Sequence, residues 1–193
     1  MTFEEKEIWN QRYDRVGGQP EPAYWLRQIF DSGLGLTGPG RALDIATGMG
    51  GNAIFLAERG FQVDAMDISE IGLLKGQIEA EKRGLSINFI QTDLDNTELP
   101  RDTYDLVINF NFLKRTLIPK LVAALKAGGT LIFETYLIDQ QELGHPKNPA
   151  HLLAHNELLQ LFRSIRVLNY REGGFTERGT KTYRAGLLGR KER

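Results

Sequence analysis

The chain has 193 residues, a length that favours a single globular domain. Its apolar share of 41% and its charged share of 25% are ordinary for such a domain. A formal net charge of −1 argues against a general binder of nucleic acids, which would carry a strong basic excess. The chain has no cysteine, which excludes disulfides, thiolate metal sites and cysteine nucleophiles.

The sequence indicates no membrane partner. Residues 1–7 are acidic rather than basic and apolar, so they do not predict a signal peptide. No run of residues approaches the roughly 18 apolar residues that a membrane-spanning helix requires. We therefore expect a cytoplasmic protein.

Short apolar segments alternate with segments of helical periodicity through the middle of the chain. The apolar segments predict strands over residues 41–46, 61–68, 87–92, 104–110 and 130–136. The segments between them predict helices over residues 51–59, 69–83 and 113–126. Ser69 can cap the second helix, and Gly84 and the pair Gly128–Gly129 stand where helices should end. Such alternation is typical of βαβ units around a parallel sheet.

The last part of the chain completes the predicted sheet. After the fifth strand we expect a long loop over residues 138–149 and a short helix over 156–162. Two strands, over 165–171 and 182–188, are separated by 173–179 and predict an antiparallel hairpin. Five βα steps followed by a hairpin predict a Rossmann-like, doubly wound α/β fold. Its seven-stranded sheet would be mostly parallel, with one antiparallel strand from the hairpin.

A glycine-rich turn joins the first predicted strand to the first helix within residues 42–52. Gly48 and Gly50 lack a Cβ, so the backbone amides can face a polar ligand directly. Gly48, Gly50 and Ala53 also satisfy the G-x-G-x-x-A pattern of dinucleotide-binding enzymes. Asp44 lies four residues before Gly48, inside the strand. A carboxylate there disfavours a nearby pyrophosphate and suits a ligand that carries an ammonium group.

Two further carboxylates follow the next two strands. Asp67 ends the second strand, where it can accept hydrogen bonds from both hydroxyls of a ribose. Dehydrogenases use the same device, so Asp67 indicates a ribose without choosing the cofactor. Asp93 and Leu94 follow the third strand. The alternative for each aspartate is a helix cap or a turn former, but acids at three successive strand ends together favour a ligand site.

This arrangement resembles the class I S-adenosylmethionine-dependent methyltransferases, whose first motif is an acidic residue followed by alternating glycines. Asp44, Gly48 and Gly50 match that motif, and Ala46 stands where its first glycine usually lies. The resemblance implies S-adenosyl-L-methionine as cofactor and S-adenosyl-L-homocysteine as product, with Asp93 and Leu94 reading the adenine. The residues expected to bind the cofactor are Arg12, Asp44, Ala46, Gly48, Gly50, Asp67, Ile68, Asp93, Leu94 and Asn109.

The end of the fourth predicted strand carries Asn109 and Phe110. In the family these positions lie beside the sulfonium and the methyl group, and the alternative is strand-end packing. Enzymes that methylate amino groups of nucleic-acid bases place Asn/Asp-Pro-Pro-aromatic here. The chain has no proline at this point, so the resemblance argues against that substrate class.

The resemblance narrows to the small bacterial tellurite-resistance-type methyltransferases through the segments 9–13, 134–135 and 144–149. It implies that Arg12 reaches the carboxylate of the cofactor's methionine part, the alternative being a surface salt bridge. It also implies a soft nucleophile, a sulfur, selenium or tellurium species, as methyl acceptor. Residues 1–193 would form one methyltransferase domain, with a leader or cap over 1–40, a cofactor-binding core over 41–136, and a loop, helix and hairpin over 137–193.

Methyl transfer by in-line displacement needs alignment and a dry site more than a strong acid or base. No catalytic residue is therefore assigned, and no residue is predicted to bind a metal. Asn109, Phe110, Tyr24 and His145 are candidates for positioning the acceptor. Tyr13, Tyr24 and Trp25 are candidate walls of its pocket, with core packing as the alternative. His145 would act as a base only if its loop folds over the pocket, and a solvated position is the alternative.

Two other functions remain open at this stage. One is an NAD(P)-dependent oxidoreductase, which Asp44 and the lack of a Tyr-x-x-x-Lys pair argue against. The other is a non-catalytic module that binds S-adenosylmethionine. The chain has no inserted recognition segment, which favours a small-molecule acceptor over a protein or a nucleic acid. The oligomeric state is not readable from the sequence.

Overall fold

The computed structural model describes residues 3–34, 36 and 38–192, and its centre is one seven-stranded sheet. The strands are β1 (Arg41–Ile45), β2 (Gln62–Asp67), β3 (Asn88–Gln91), β4 (Tyr104–Phe110), β5 (Leu125–Tyr136), β6 (Ile165–Glu177) and β7 (Thr180–Lys191). Their spatial order is β3-β2-β1-β4-β5-β7-β6. β7 runs antiparallel to both of its neighbours, and the other pairs are parallel. The predicted fold is confirmed.

Helices cover both faces of the sheet. They are α1 (Phe3–Arg15), α2 (Tyr24–Ser32), α3 (Gly51–Ala57), α4 (Glu70–Lys82), α5 (Ile118–Ala124) and α6 (Glu157–Leu161). One apolar core lies between the sheet and α2 and α3, and includes Trp25 and Leu56. The other lies on the opposite face against α5 and α6, and includes Leu121 and Leu158. The strands β1, β2 and β4 are thus buried on both sides, as their apolar sequences predict.

The register of the parallel strands places their carboxyl ends at one level. Ile45 of β1 is paired with Asn109 of β4, which in turn is paired with Phe133 of β5. The residues that follow each of these positions therefore meet at a single edge of the sheet, which we call the carboxyl edge. Ligands of doubly wound folds bind outside this edge.

The fifth strand begins earlier than the sequence predicts. The helix predicted over residues 113–126 is a 3₁₀ turn at Arg115–Leu117 followed by α5, and β5 already begins at Leu125. Gly128, with a φ of +80°, lies within β5 rather than at a helix end. The pairing between β4 and β5 shifts there, as at a β-bulge. Glycine serves the left-handed position in both settings, so the sequence did not distinguish them.

The hairpin is longer than predicted, because residues 173–177 belong to β6 rather than to a loop. The connection is reduced to Arg178 and Gly179, with φ values of +50° and +79°. Two central residues with positive φ match the right-handed twist of the flanking strands, which is why such turns join tight hairpins.

The predicted start and end of helix α4 are present in the structure. The Ser69 cap is confirmed, since its side chain accepts a hydrogen bond from the amide of Gly72 at 3.1 Å. Gly84 follows α4 with a φ of +67°, as expected of a helix end.

The predicted loop over 138–149 contains a 3₁₀ helix, Ile138–Leu143. Within the described part of the chain, no helix is both long and apolar enough to cross a membrane. The cytoplasmic location stays a prediction.

Candidate functional site at the carboxyl edge

The turn between β1 and α3 holds three left-handed residues within five positions. Ala46, Gly48 and Gly50 have φ values of +54°, +58° and +75°. The turn is held by the amide of Thr47, which donates to the carbonyl of Met66 on β2 at 3.0 Å. An alanine in the left-handed region costs about 1 kcal/mol or more relative to glycine's freedom there. The turn thus keeps its conformation at Ala46 against a local preference.

Asp44 lies fully buried beneath this turn. The Thr47 hydroxyl donates to its Oδ2 at 2.5 Å, whereas its Oδ1 has no hydrogen-bond partner among the described residues. Burial raises the pKa of Asp44 to about 7, and the nearby Asp67 raises it further, whereas the Thr47 hydroxyl and the nearby amide of Ala53 lower it. A buried carboxylate oxygen without a partner is costly unless a donor or a cation meets it. This environment fits a ligand with an ammonium group.

Asp67 ties the end of β2 to the glycine turn. Its two oxygens accept from the amides of Gly48 and Ser69, each at 2.8 Å. Burial raises the pKa of Asp67, and these two amide hydrogen bonds lower it. Each carboxylate oxygen can accept two hydrogen bonds, so the Asp67 carboxylate keeps acceptor capacity for a ligand. Such a carboxylate suits the neighbouring hydroxyls of a ribose.

Tyr13 of α1 reaches the glycine turn, and its place there was not predicted. A Cβ at Gly48 would lie 2.6 Å from the Tyr13 hydroxyl oxygen. The sequence analysis predicted Tyr13 as a wall of the acceptor pocket. The sequence feature that could have indicated this position is the four-residue spacing from Trp9. The two rings lie one helical turn apart and stack, with their centres separated by 5.7 Å. Arg12 is exposed, and its guanidinium lies 5.0 Å from the centre of the Trp9 ring.

The residues that follow β2 and β3 form local hydrogen bonds or pack in the core. Asp93 accepts from the amide of Asp95 at 2.9 Å and from Asn96 at 2.8 Å, which makes it a turn former. Leu94 is buried in the core on the α5 side of the sheet. Ile68 is buried, and its carbonyl accepts from the Gln91 side chain at 3.2 Å. The adenine contacts expected of these residues stay predictions.

Asn109 and Phe110 point to opposite faces of β4. Asn109 is fully buried and donates to the carbonyl of Phe112 at 2.8 Å, while its Oδ1 has no partner among the described residues. It therefore shapes the segment that leaves β4. Phe110 packs in the core with Trp25 on the α3 side, which is a strand-end packing position.

A buried ion pair that sequence reasoning missed lies beside this segment. Glu134 near the end of β5 contacts Arg171 of β6 across Gly186 of β7. A Cβ at Gly186 would lie 2.6 Å from the Trp25 ring, so the absence of a side chain at this glycine leaves room for the ring. The Arg171 guanidinium lies 4.8 Å from the centre of that ring. Burial raises the pKa of Glu134, and the charges of Arg171 and Arg184 lower it.

Arg184 connects the ends of β4 and β5. It donates to the Asn111 side chain at 2.5 Å and to the Tyr136 hydroxyl at 3.1 Å. Asn111, with a φ of +61°, is the first residue after β4. Arg184 thus fixes two residues at the carboxyl edge next to the glycine turn. Glu134, Arg171 and Arg184 contact residues far away in the sequence, so no local sequence pattern predicts these contacts.

The remaining positioning candidates lie at the surface. Tyr24 begins α2 and is 38% exposed. His145 is exposed, and its carbonyl accepts from the Gln140 side chain at 3.0 Å. Among the residues that the structure describes, no group of three or more acidic or histidine side chains could hold a metal ion.

The chain is similar to known methyltransferases. Residues 42–129 match the family described as methyltransferase domain. A methyltransferase of Geobacillus sp. strain WCH70 is 30% identical over 154 residues, which make up 72% of this chain and 60% of that protein. The S-adenosyl-L-methionine-dependent methyltransferase TehB of Haemophilus influenzae is 25% identical over 142 residues, 69% of this chain and 49% of TehB. The chain thus spans about half to three fifths of these relatives.

Solved structures show the same fold. The crystal structure of Haemophilus influenzae TehB matches with a TM-score of 0.72 at 20% identity, over 97% of this chain and 67% of that one. A structure described by the conversion of a disulfide bond into a thioacetal group during echinomycin biosynthesis gives 0.75 at 17% identity, over 97% and 91%.

Residues 42–129 thus match a methyltransferase domain, and the fold is that of the class I S-adenosylmethionine-dependent methyltransferases, a class whose cofactor is S-adenosyl-L-methionine. Within that class, the chain resembles TehB of Haemophilus influenzae.

Proposed function

We propose that the chain transfers the methyl group of S-adenosylmethionine to a small-molecule acceptor, and that the atom methylated is a soft nucleophile, sulfur, selenium or tellurium. The observation that carries the proposal is the buried Asp44, whose unpartnered oxygen lies beneath the glycine turn and near Asp67. Such a pair favours a ligand with an ammonium group and a ribose but no phosphate.

The cofactor supplies an electrophilic methyl group on a positively charged sulfur. In this proposal Asp44 meets its ammonium group, and Asp67 accepts from its ribose hydroxyls. The further contacts are proposed for Arg12, Ala46, Gly48, Gly50, Ile68, Asp93, Leu94 and Asn109. The protein's contribution is alignment and exclusion of water, and well-aligned reactants can gain about 7–11 kcal/mol in the best cases.

The acceptor pocket is proposed at the carboxyl edge between α2 and the ends of β4 and β5. Asn111, Tyr136 and Arg184 are joined there by hydrogen bonds, and Tyr24 begins α2. Glu134, a buried acid beside this region, contacts Arg171 and is not free to act as a base. A thiol ionises at a pKa of about 8.5 and needs little help from a base, which favours a soft acceptor over an alcohol or an amine.

The relatives support the same acceptor class. The chain resembles the tellurite-resistance-type TehB, and one of the similar structures is described by a reaction at a disulfide. In the proposed step the thiolate forms a bond to the methyl carbon as the bond from that carbon to the sulfonium breaks. S-adenosylhomocysteine is released as the leaving group.

The test is an assay of S-adenosylhomocysteine formation by the purified protein, with a thiol, a selenol, tellurite, a phenol and an amine as separate acceptors. We expect turnover with soft acceptors and none with the phenol or the amine, measured against reactions without protein. Faster turnover with the phenol or the amine would overturn the acceptor class. Binding of the cofactor without turnover on any acceptor would favour the non-catalytic module.

A further inference from the structure

Two fully buried side chains at the carboxyl edge each carry an oxygen that forms no hydrogen bond within the described part of the chain. They are Asn109 near the end of β4, with its Oδ1, and Thr135 near the end of β5, with its Oγ1. A polar group that is withdrawn from water without a partner destabilises the fold, so such groups are rare in native proteins. A pair of them at the edge where ligands bind is evidence for a partner that binds there.

The two side chains project from neighbouring strands to the same face of the sheet. Asn109 is paired with Phe133, and Thr135 lies two residues beyond Phe133 on β5. Because side chains alternate along a strand, Thr135 shares the face of Phe133, which belongs to the core on the α5 side. Val107 of β4 belongs to the same core, which places Asn109 on that face as well. Asn109 and Thr135 are therefore neighbours on one surface.

The chemistry that this pair offers is set by the contacts of Asn109. Its amide nitrogen donates to the carbonyl of Phe112 at 2.8 Å, and the amide oxygen could not replace the nitrogen there because two carbonyls cannot share a hydrogen bond. The oxygen of Asn109 can therefore only accept. The Thr135 hydroxyl can both donate and accept. The pair thus provides one acceptor and one donor for a ligand.

The packing of β5 does not require a hydroxyl at Thr135. Its partner on β7 is Ala185, whose side chain is a methyl group. A valine would fill the same volume in a buried strand without an unpaired hydroxyl. The hydroxyl therefore has no structural role in the contacts of the described residues.

A segment over residues 138–157, which we call the cover segment, lies over this face of the sheet. Leu137 shares the face of Thr135 and forms a β-bridge with Leu153 of the cover segment. Both leucines are fully buried or nearly so. The amide of Leu153 also donates to the carbonyl of Tyr136 at 2.9 Å, which joins the cover segment to the end of β5.

Arg115, which follows β4, fastens the cover segment from the other side. Its guanidinium forms an ion pair with Glu157 at 2.5 Å and donates to the carbonyls of Ala150 at 3.0 Å and Leu152 at 2.9 Å. A planar guanidinium fork suits such a set of acceptors. The cover segment is therefore held to the ends of both strands that carry the unpaired oxygens.

We propose that Thr135 is an acceptor-contacting residue, whose hydroxyl donates a hydrogen bond to the nucleophilic atom of the acceptor beneath the cover segment. The hydroxyl keeps its proton and aligns the acceptor, and a thiolate or a related anion accepts such a hydrogen bond well. Tyr136 of the proposed acceptor pocket is the next residue, so the two sites adjoin at the end of β5. The acceptor enters when the cover segment moves. This inference rests on the proposed function, because the methyl acceptor is its ligand.

A permanently bound water is the alternative partner of the two oxygens. Such a water belongs to the folded protein with or without an acceptor, so loss of the Thr135 hydroxyl would remove a hydrogen bond of the fold. The acceptor is absent from the free protein, so in the proposed role the same loss relieves an unpaired group. The two partners therefore predict opposite effects of one substitution on stability.

The test compares the wild type with Thr135→Val, which removes the hydroxyl at nearly constant volume, and with Thr135→Ser, which keeps it. Thiophenol and tellurite are the probe acceptors. Thr135→Val should lower kcat/KM about tenfold or more, as expected for one hydrogen bond to a charged atom, and leave the dissociation constant of S-adenosylhomocysteine unchanged. Thr135→Ser should retain most of kcat/KM. Thr130→Val is the control, because Thr130 is also fully buried on β5 but lies farther from the carboxyl edge, and kcat/KM should not change.

Urea unfolding gives a second readout that needs no acceptor. The midpoint of Thr135→Val should equal that of the wild type or exceed it. Either an unchanged kcat/KM or a lower midpoint for this variant would overturn the inference, and the lower midpoint would favour the bound water. If the wild type methylated neither probe, the proposed function would fail instead, so the two failures are distinguishable.

Discussion

The Thr47 hydroxyl donates to one oxygen of the Asp44 carboxylate at 2.5 Å and leaves the other without a partner in a fully buried position. The two residues stand on either side of the left-handed Ala46. The turn thus orients a buried carboxylate and forms a hydrogen bond with only one of its two oxygens. The ammonium group of the proposed cofactor would contact the other oxygen.

Asp44 should make cofactor binding dependent on pH. Its pKa is raised to about 7 by burial, so it is largely protonated below that pH in the free protein. An ammonium ligand favours the ionised form, so binding should release about one proton at pH 6 and little at pH 8. S-adenosylhomocysteine should therefore bind more tightly as the pH rises through 7. Titrations in two buffers of different ionisation enthalpy measure the proton release.

The control for this prediction is Asp44→Asn, which keeps the size of the side chain and removes its titration. It should bind weakly, with no proton release over the same pH range. Equal release by the variant and the wild type would assign the proton to another group.

Ala46 and Gly48 should differ in their response to substitution although both have positive φ. Ala46→Gly relieves the left-handed alanine but loosens the unfolded chain, so stability should change by no more than about 1 kcal/mol. Gly48→Ala strains the backbone and meets Tyr13, so it should destabilise by about 2 kcal/mol or more and lose S-adenosylhomocysteine binding. Urea unfolding measures both. A tolerated Gly48→Ala would contradict the close approach of Tyr13.

Gly186→Ala should displace α2, because the new Cβ on β7 would meet the ring of Trp25 on α2. Overpacking of this kind costs about 1–3 kcal/mol. The buried Trp25 should report the change in its fluorescence spectrum. Gly17→Ala is the matched control, since a Cβ there meets nothing within 4 Å and stability should be unaffected.

Arg184→Gln should harm acceptor use and spare cofactor binding. The guanidinium holds Asn111 and Tyr136 at the proposed acceptor pocket, and it lies two strands beyond β4 in the sheet. With the best acceptor from the panel, kcat/KM should fall about tenfold, which corresponds to about 1.4 kcal/mol. The dissociation constant of S-adenosylhomocysteine should not change. Arg166→Gln, an exposed arginine on β6, serves as control, and an equal loss there would remove the positional argument.

The parts of the fold that depend on local sequence were predictable. The apolar strands, the Ser69 cap and the glycine turn each carry their signal within a few residues, and all are present in the structure. The placement of Asp44 and Asp67 below and beside the turn followed from the parallel order of β1 and β2.

Helix α1 was missed for a physical reason. α1 shows only a weak apolar face, and polar contacts hold it in place, among them Asn10 to Ser69, 59 residues away in sequence. The pair of Glu134 and Arg171 is likewise formed across a third strand. Such contacts depend on the finished sheet, so no short pattern predicts them.

The most direct test of the central claim is titration of the wild type and of Asp67→Ala with S-adenosylhomocysteine and, separately, with NADH. Asp102→Ala, which removes an exposed carboxylate, is the matched control. The account predicts that the wild type and the control bind S-adenosylhomocysteine, that Asp67→Ala loses this binding, and that NADH binds to none of them. Binding of NADH without binding of S-adenosylhomocysteine would contradict it and assign the glycine turn to a dinucleotide.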